Sequence, residues 1–306
     1  MDHKKLMEDS LNKARKRELK RSKIKNADGK TETQFLKEYT PGDYPRPSVT
    51  VDNLIFTVED DSLKILLIKR KNHPDIDTWA LPGGFIECGD NGETAEMAAY
   101  RELKEETNLE NIYMEQLYTW SEVDRDPRMR VMSVSFLALI SKDGNEVKAG
   151  DDAKDAAWFK VGKVDTGIDD EGIISYDLTL VNDERNITIT AKVFDTPRQN
   201  GILTSYKSDI IQTSEEVLAF DHIKIINMGI DRLRNKIEYT PIAFNLVPTE
   251  FTLPQLQKIY EAILGKKLYK KNFRDKINPM VISVNKLDDG HTGPKAMKYK
   301  YNGRYN

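Results

Sequence analysis

Glu102, Glu105 and Glu106 lie at i, i+3 and i+4 in the run Arg101-Glu102-Leu103-Lys104-Glu105-Glu106-Thr107. On a helix, that spacing brings all three carboxylates to one face. Like charges so placed repel one another, and a bound divalent cation removes the conflict. Hard oxygen donors suit Mg²⁺ or Mn²⁺, and Mg²⁺ also takes waters and substrate phosphates into its shell. Upstream, Leu81-Pro82-Gly83-Gly84-Phe85 forms a turn whose paired glycines allow close approach of backbone to a ligand. Taken alone, the acidic run also reads as a solvated helix face. The Pro-Gly-Gly turn, a helix start near Glu93 and the apolar Met97, Tyr100 and Leu103 favour a built site.

These residues resemble the Nudix box, G-x5-E-x7-R-E-U-x-E-E-x-G-U with U aliphatic. Gly84 opens it, Glu93 is its first Glu, and Arg101, Glu102, Leu103, Glu105, Glu106 and Leu109 follow at the family's spacing. Two positions depart from the pattern. The Gly84 to Glu93 interval is longer by three residues, within 88–92, and Asn108 replaces the last Gly. Asn accepts the left-handed conformation that ends a helix. The resemblance implies that Glu102, Glu105 and Glu106 hold the metal together with the Gly84 carbonyl. It also implies that Arg101 is structural and pairs with Glu93. The longer interval puts the position of the Gly84 carbonyl in question.

The elements that must position these groups show in the pattern of apolar residues. Residues 48–58 and 63–70 read as strands joined by a polar turn. Residues 113–121 and 130–140 read as two more, the latter so apolar at its end that a central strand covered on both faces is expected. The loop between them carries Arg125 and Arg128. Their guanidinium forks suit a pyrophosphate, and with Gly83 they are candidate substrate-binding residues; a plain polar hairpin loop is the alternative. Asp151 and Asp152 precede the strand-like Trp158-Phe159. Either Asp could complete a metal shell or act as general base, Asp152 being the named candidate, and ordinary turn residues are the alternative.

Residues 173–181 and 187–193 read as strands of an elaborated edge or a linker hairpin. A helix is expected from Ser214 as its cap to about Asn235, serving core packing, a domain bridge or a dimer contact. Thr252-Leu253-Pro254-Gln255 is a capping box with Pro in the first turn, and Gly265 ends the helix that it starts. A second helix holds Lys270, Lys271, Phe273, Arg274, Lys276 and Ile277, and two strands, 281–284 and 297–301, are expected with a turn at 288–293 between them. Helix, turn, basic helix and hairpin make the layout of a winged helix-turn-helix, whose second helix enters the major groove in DNA-binding members. Lys270, Lys271, Arg274 and Lys276 are candidate contacts to double-stranded DNA. A solvated basic face is the alternative.

A chain of 306 residues accommodates two or three modest domains. Charged residues at 32% and hydrophobic residues at 39% are a soluble, globular balance. No apolar run approaches the ~18 residues that span a membrane, so no membrane partner is expected. The N-terminus lacks a signal-peptide apolar core, and a cytoplasmic location is expected. Cys88 is the single cysteine, which excludes an internal disulfide, and it reads as an ordinary loop residue rather than a nucleophile. Net charge is −3, yet the segment from Thr252 onward is strongly basic, an asymmetry that points to a polyanion. Residues 1–30 are also rich in Lys and Arg and read as a charged helix or a disordered arm.

Taken together, the chain resembles Nudix domains followed by a C-terminal winged helix, over about residues 39–301. That group includes ADP-ribose pyrophosphatase-like hydrolases and Nudix-related transcriptional regulators of NAD and sugar metabolism. The fold class implied is α+β: a Nudix α/β/α sandwich with a mixed sheet, plus a C-terminal winged helix-turn-helix domain. The expected division is a basic extension at 1–38, a Nudix domain at 39–165, a β-rich elaboration with a linker helix at 166–240, and the winged helix at 241–306. The expected function is a Mg²⁺-dependent pyrophosphohydrolase acting on a nucleoside diphosphate linked to X, with ADP-ribose giving AMP and ribose 5-phosphate. The alternative is a transcriptional regulator that senses ADP-ribose or a sugar metabolite and binds DNA through the winged helix. A homodimer is the default for such chains.

Overall fold

The computed structural model describes residues 3–40, 42, 45–89, 92–110, 112–142, 153–288 and 296–304. Two compact units result, Met1–Arg46 and Pro47–Asn306. The first holds α1 (His3–Arg21) and α2 (Glu32–Glu38), the latter started by a capping box between Thr31 and Gln34. Of the two states expected for the basic opening stretch, this is the helical one.

The second unit is built on β1 (Ser48–Glu59) and β2 (Ser62–Arg70). Asp60 and Asp61 join them, both with positive φ, as a two-residue hairpin of matching twist requires. Two short strands follow, β3 (Trp79–Ala80) and β4 (Gly83–Phe85), then α3 (Ala95–Thr107). β5 (Tyr113–Trp120), β6 (Val131–Leu139), β7 (Ala153–Ile168), β8 (Ile174–Asn182), β9 (Ile187–Asn200) and β10 (Leu203–Gln212) complete the sheet. Its order is β10-β9-β8-β7-β2-β1-β6-β5, with β3 on β2 and β4 on β1. β1 and β6 run parallel and their other neighbours antiparallel, so the sheet is mixed. β6 is buried along most of its length, as expected, but lies one strand in from the edge rather than at the centre. The stretch 165–210 is an extension of this sheet, with β8 to β10 hydrogen-bonded in sequence onto β7.

Alternation along the strands sends apolar groups to both faces. Leu54 and Phe56 of β1 join the core that contains Ile226 and Ile230 of α4 (His222–Tyr239), while Ile55 joins Leu103 of α3 on the other side. A Cβ on Gly229 would lie 2.3 Å from Leu54 Cδ2, so this glycine lets α4 come down onto the sheet. α3 packs differently from expectation. Its buried face is Ala98, Ala99 and Leu103, whereas Met97 and Tyr100 are exposed. The small residues bring the helix backbone close enough for Asn53 Nδ2 to donate to the Ala99 carbonyl at 2.9 Å. α4 begins seven residues later than the sequence suggests, with Asp221 rather than Ser214 at the cap position. Ser214 does not cap it; its hydroxyl accepts the Thr190 amide proton at 2.8 Å and ties the end of the sheet extension to β9.

A 3₁₀ turn (Ile242–Leu246) leads to β11 (Phe251–Thr252), α5 (Leu253–Leu264) and α6 (Lys270–Ile277). Thr252 and Gln255 form the expected capping box, and Gly265 ends α5 in the left-handed conformation. β12 (Val281–Leu287) and β13 (Met297–Tyr301) pair as the wing, with β11 on the far side of β13. The two strands of the expected hairpin are present, and the turn expected at 288–293 falls almost wholly outside the described residues. The whole is the α+β class expected: a mixed sheet between helices, followed by a winged helix.

Candidate functional site

β1 positions the site. β4 pairs with it antiparallel, setting Asp52 opposite Gly83 and Val51 opposite Gly84. A Cβ on Gly84 would lie 2.1 Å from Glu102 Oε1, so glycine here puts the backbone against the acidic face of α3. The Gly83 amide donates to Glu106 Oε2 at 2.7 Å. Arg101 organises the rest. Its Nε and Nη2 hold both oxygens of Glu93 at 3.1 and 2.6 Å, and Nη2 also reaches the Phe85 carbonyl at 3.1 Å. Its Nη1 donates to Glu102 at 2.7 Å and to Glu105 at 3.1 Å. The Arg101 guanidinium holds the Glu93 carboxyl below its usual range, whereas burial raises Glu102 against the opposing pull of Arg101.

The longer interval is looped out. Glu87 N–H donates to Glu93 Oε1 at 2.9 Å, and Glu93 N–H donates to the Glu87 carbonyl at 3.2 Å. Glu87 and Glu93 are thus held together on either side of the added residues, and Gly84 lies against Glu102. Asn108 takes φ 60° and closes α3 as a Gly would.

Among the described residues no three acidic, His or Cys groups are gathered as a metal cluster. The reason is local: Arg101 bridges Glu102 and Glu105, and Gly83 N–H engages Glu106. In type the donors fit a hard divalent cation. Glu102 and Glu106 line one cavity with Gly83 and Gly84, while the side chain of Glu105 is exposed outside it. Asp151 and Asp152 lie outside the described residues.

That cavity has a volume of about 350 Å³. Its lining combines Glu102 and Glu106 with Arg70, Arg125 and Arg128, so carboxylates and guanidinium groups share one cavity. Arg128 is paired with Asp126 at 2.8 Å and stands 5.4 Å from the Phe85 ring centre. Arg125 is almost wholly buried, its fork closed on Asp221 at 3.1 and 2.7 Å. Sequence reasoning missed Arg70, Asp52, Phe220 and His222. Arg70 lies 4.7 Å from the Phe220 ring centre, and burial lowers its proton affinity. His222 Nδ1 accepts the Leu81 amide proton at 2.9 Å, and its Nε2 faces Asp52 at 3.4 Å. These groups come from β1, β2 and the start of α4, and no local spacing marks them.

At the other end of the unit, α6 turns Phe273 and Ile277 inward and leaves Lys270, Lys271 and Arg274 exposed. Lys276 points elsewhere, to Glu238 of α4 at 3.0 Å and over the Tyr260 ring at 5.5 Å. No helix among the described residues is long and apolar enough to cross a membrane.

Comparison with known proteins gives the same two halves. The NUDIX domain family matches residues 48–176, and the NrtR DNA-binding winged helix domain family matches residues 243–301. The ADPR responsive transcriptional repressor NtrR of Acinetobacter baylyi is 33% identical over 244 residues, covering 80% of this chain and 77% of the repressor. An ADP-ribose pyrophosphatase of Methanocaldococcus jannaschii is 49% identical over 121 residues, 40% of this chain and 66% of that enzyme. The crystal structure of Shewanella oneidensis NrtR complexed with a 27mer DNA superposes with a TM-score of 0.56 at 26% identity, covering 83% of this chain and 93% of that one.

Proposed function

The chain belongs to the family of Nudix proteins that carry a C-terminal NrtR-type winged helix, and from that premise we propose that it is an ADP-ribose-responsive, DNA-binding regulator. The observation that carries this reading is the likeness to an ADPR-responsive repressor across both halves of the chain. The geometry supports it. The cavity is lined by arginines, carboxylates and aromatic rings, which suits a pyrophosphate with a base or ribose attached. α6 holds itself to the core by Phe273 and Ile277 and presents Lys270, Lys271 and Arg274 outward, which suits a phosphate backbone. A two-fold dimer would set two such helices on two half-sites.

A second reading is hydrolysis of ADP-ribose to AMP and ribose 5-phosphate. It is favoured by the retention of Glu102, Glu105 and Glu106 and by the likeness of the Nudix half to an ADP-ribose pyrophosphatase. Glu102, Glu106 and the Gly84 carbonyl would hold Mg²⁺ or Mn²⁺, with Glu105 at the rim. When bound, the metal supplies charge neutralisation at the phosphoryl oxygens and a more acidic water. Arg101 would keep the carboxylates in place, and Arg70 and Arg128 would orient the pyrophosphate. The two readings are compatible, because an intact site can consume its own effector.

The test combines binding and turnover. A duplex enriched on the full chain from a random pool is expected to change affinity when ADP-ribose is added. Failure to enrich any duplex would sink the regulator. Release of AMP with Mg²⁺, abolished in Glu105→Gln/Glu106→Gln, would establish the enzyme. ADP-ribose binding with no AMP released would confine the Nudix domain to sensing.

A further inference from the structure

The start of α4 is part of the cavity wall. Phe220, Asp221 and His222 are consecutive, and each is fixed to a different part of the site. Phe220 is bulky yet has φ 49°, a conformation that such a residue adopts only when its surroundings impose it. Its amide donates to Asp75 Oδ2 at 3.1 Å, and its ring lines the cavity beside Arg70 and Arg128. Asp221 holds the Arg125 fork by two hydrogen bonds. His222 accepts from Leu81, next to the Pro82-Gly83-Gly84 turn, and faces Asp52, the register partner of Gly83.

From this turn α4 runs to the winged helix as one rod of 18 residues, about 27 Å at 1.5 Å per residue. Its middle is pinned by the Lys163–Asp231 ion pair at 2.7 Å and by the close seat of Gly229 on Leu54. Its far end meets both α5 and α6 of the winged-helix domain. Arg234 Nε donates to the Ile263 carbonyl at the end of α5 at 3.0 Å, and Glu238 pairs with Lys276 of α6 at 3.0 Å. A packed helix does not absorb a displacement along its length, so a change at one end is felt at the other.

We propose that the Phe220-Asp221-His222 turn converts occupation of the cavity into a change at the winged helix, and that a pyrophosphate-bearing ligand does so by competing with Asp221 for Arg125. The proposal rests on the ADP-ribose-responsive reading. A guanidinium fork matches a carboxylate and a phosphate by the same two parallel bonds, so the two are direct rivals. Arg125 lines the cavity and at the same time binds Asp221. The buried cluster already holds the Asp52 and Asp221 carboxylates around that one guanidinium, with Asp52 3.7 Å from it. Drawing Arg125 toward a ligand leaves Asp221 short of its partner, and the strained turn is the part free to relieve this.

Hydrogen exchange on the full chain, with and without saturating ADP-ribose, reads both ends at once. In wild type, ADP-ribose is expected to alter exchange in peptides around residues 79–87 and 122–128 and also across α4, α5 and α6. In Asp221→Asn the cavity peptides are expected to respond still, while the α5–α6 response falls by half or more. An equal α5–α6 response in that variant would overturn the proposal, as would a wild-type response confined to the cavity. No response anywhere in wild type would instead overturn the ADP-ribose reading, and the proposal with it. Should Asp221→Asn lose its fold, Phe220→Gly decides the matter, since it removes the ring and eases the left-handed backbone. It too is expected to halve the α5–α6 response at saturating ADP-ribose, and a full response would overturn the proposal.

Discussion

His222 shows how tightly the site is closed at the scale of a single side chain. Burial lowers its affinity for a proton, Asp52 and Asp221 act in the opposite sense, and Arg125 and Arg70 reinforce burial. Because Nδ1 accepts from Leu81, the one ring proton sits on Nε2 toward Asp52, and a second proton would cost the Leu81 bond. In the unfolded chain the imidazole protonates near pH 6.5, so below that pH the unfolded state gains a proton that the native state refuses. Stability from this residue is therefore complete above about pH 6.5 and is lost as pH falls, by up to about 1.4 kcal/mol per unit. Melting curves at pH 7.5 and 5.5 should show a larger drop for wild type than for His222→Gln, which keeps an acceptor for Leu81. Equal drops would mean that another group governs the acid side. None of this was visible in the sequence. Glu102, Glu105 and Glu106 share one helical turn and announce themselves, whereas Asp52, Arg125, Asp221 and His222 meet only after β1, the β5–β6 loop and the start of α4 have packed.

At the scale of elements, the loop after β4 illustrates what a spacing departure does and does not mean. Two hydrogen bonds between Glu87 and Glu93 close its neck, and Arg101 locks Glu93 from the helix side. Removing Gly89, Asp90 and Asn91 leaves two residues between Glu87 and Glu93, the length of a tight hairpin turn. Closure entropy changes by only about 0.6 kcal/mol per doubling of length, so the melting temperature should move by no more than a few degrees and ADP-ribose affinity should hold. A large loss of affinity would show that the loop itself touches the ligand. The same contrast explains which helix ends could be read. Thr252 and Gln255 satisfy each other locally, and α5 starts where its capping box stands. α4 starts where tertiary partners fix Asp221 and His222, and Asp221 makes no side-chain cap at all. Ser214 looked like a cap in sequence, but its hydroxyl was claimed by β9.

Across the whole molecule, a net charge of −3 coexists with a basic winged helix, a local excess of cations that attracts a polyanion despite the negative total. α6 divides its cations by direction. Lys270, Lys271 and Arg274 are exposed while Phe273 and Ile277 are buried, and Lys276 is engaged by Glu238 and the Tyr260 ring. Each cation that meets a phosphate releases condensed counterions, and log affinity then falls with log salt by roughly 0.9 per contact on duplex DNA. Replacing Lys270, Lys271 and Arg274 together with Ala should therefore weaken binding to every duplex and flatten the salt slope by roughly 2 to 3. Lys276→Ala should change that slope little, since its charge is already answered within the fold, and it should loosen the α4–α6 contact instead. The inward face of α6 is untouched in the triple variant, so its melting temperature and its ADP-ribose binding serve as controls. Fluorescence anisotropy across a salt series, with wild type and both variants on one enriched duplex, separates the outcomes. An unchanged slope in the triple variant would remove α6 as the reading helix and turn attention to the wing. A slope that falls as much for Lys276→Ala as for the triple variant would mean that α6 lies along the DNA by its other side, and that the Glu238 ion pair must open for binding.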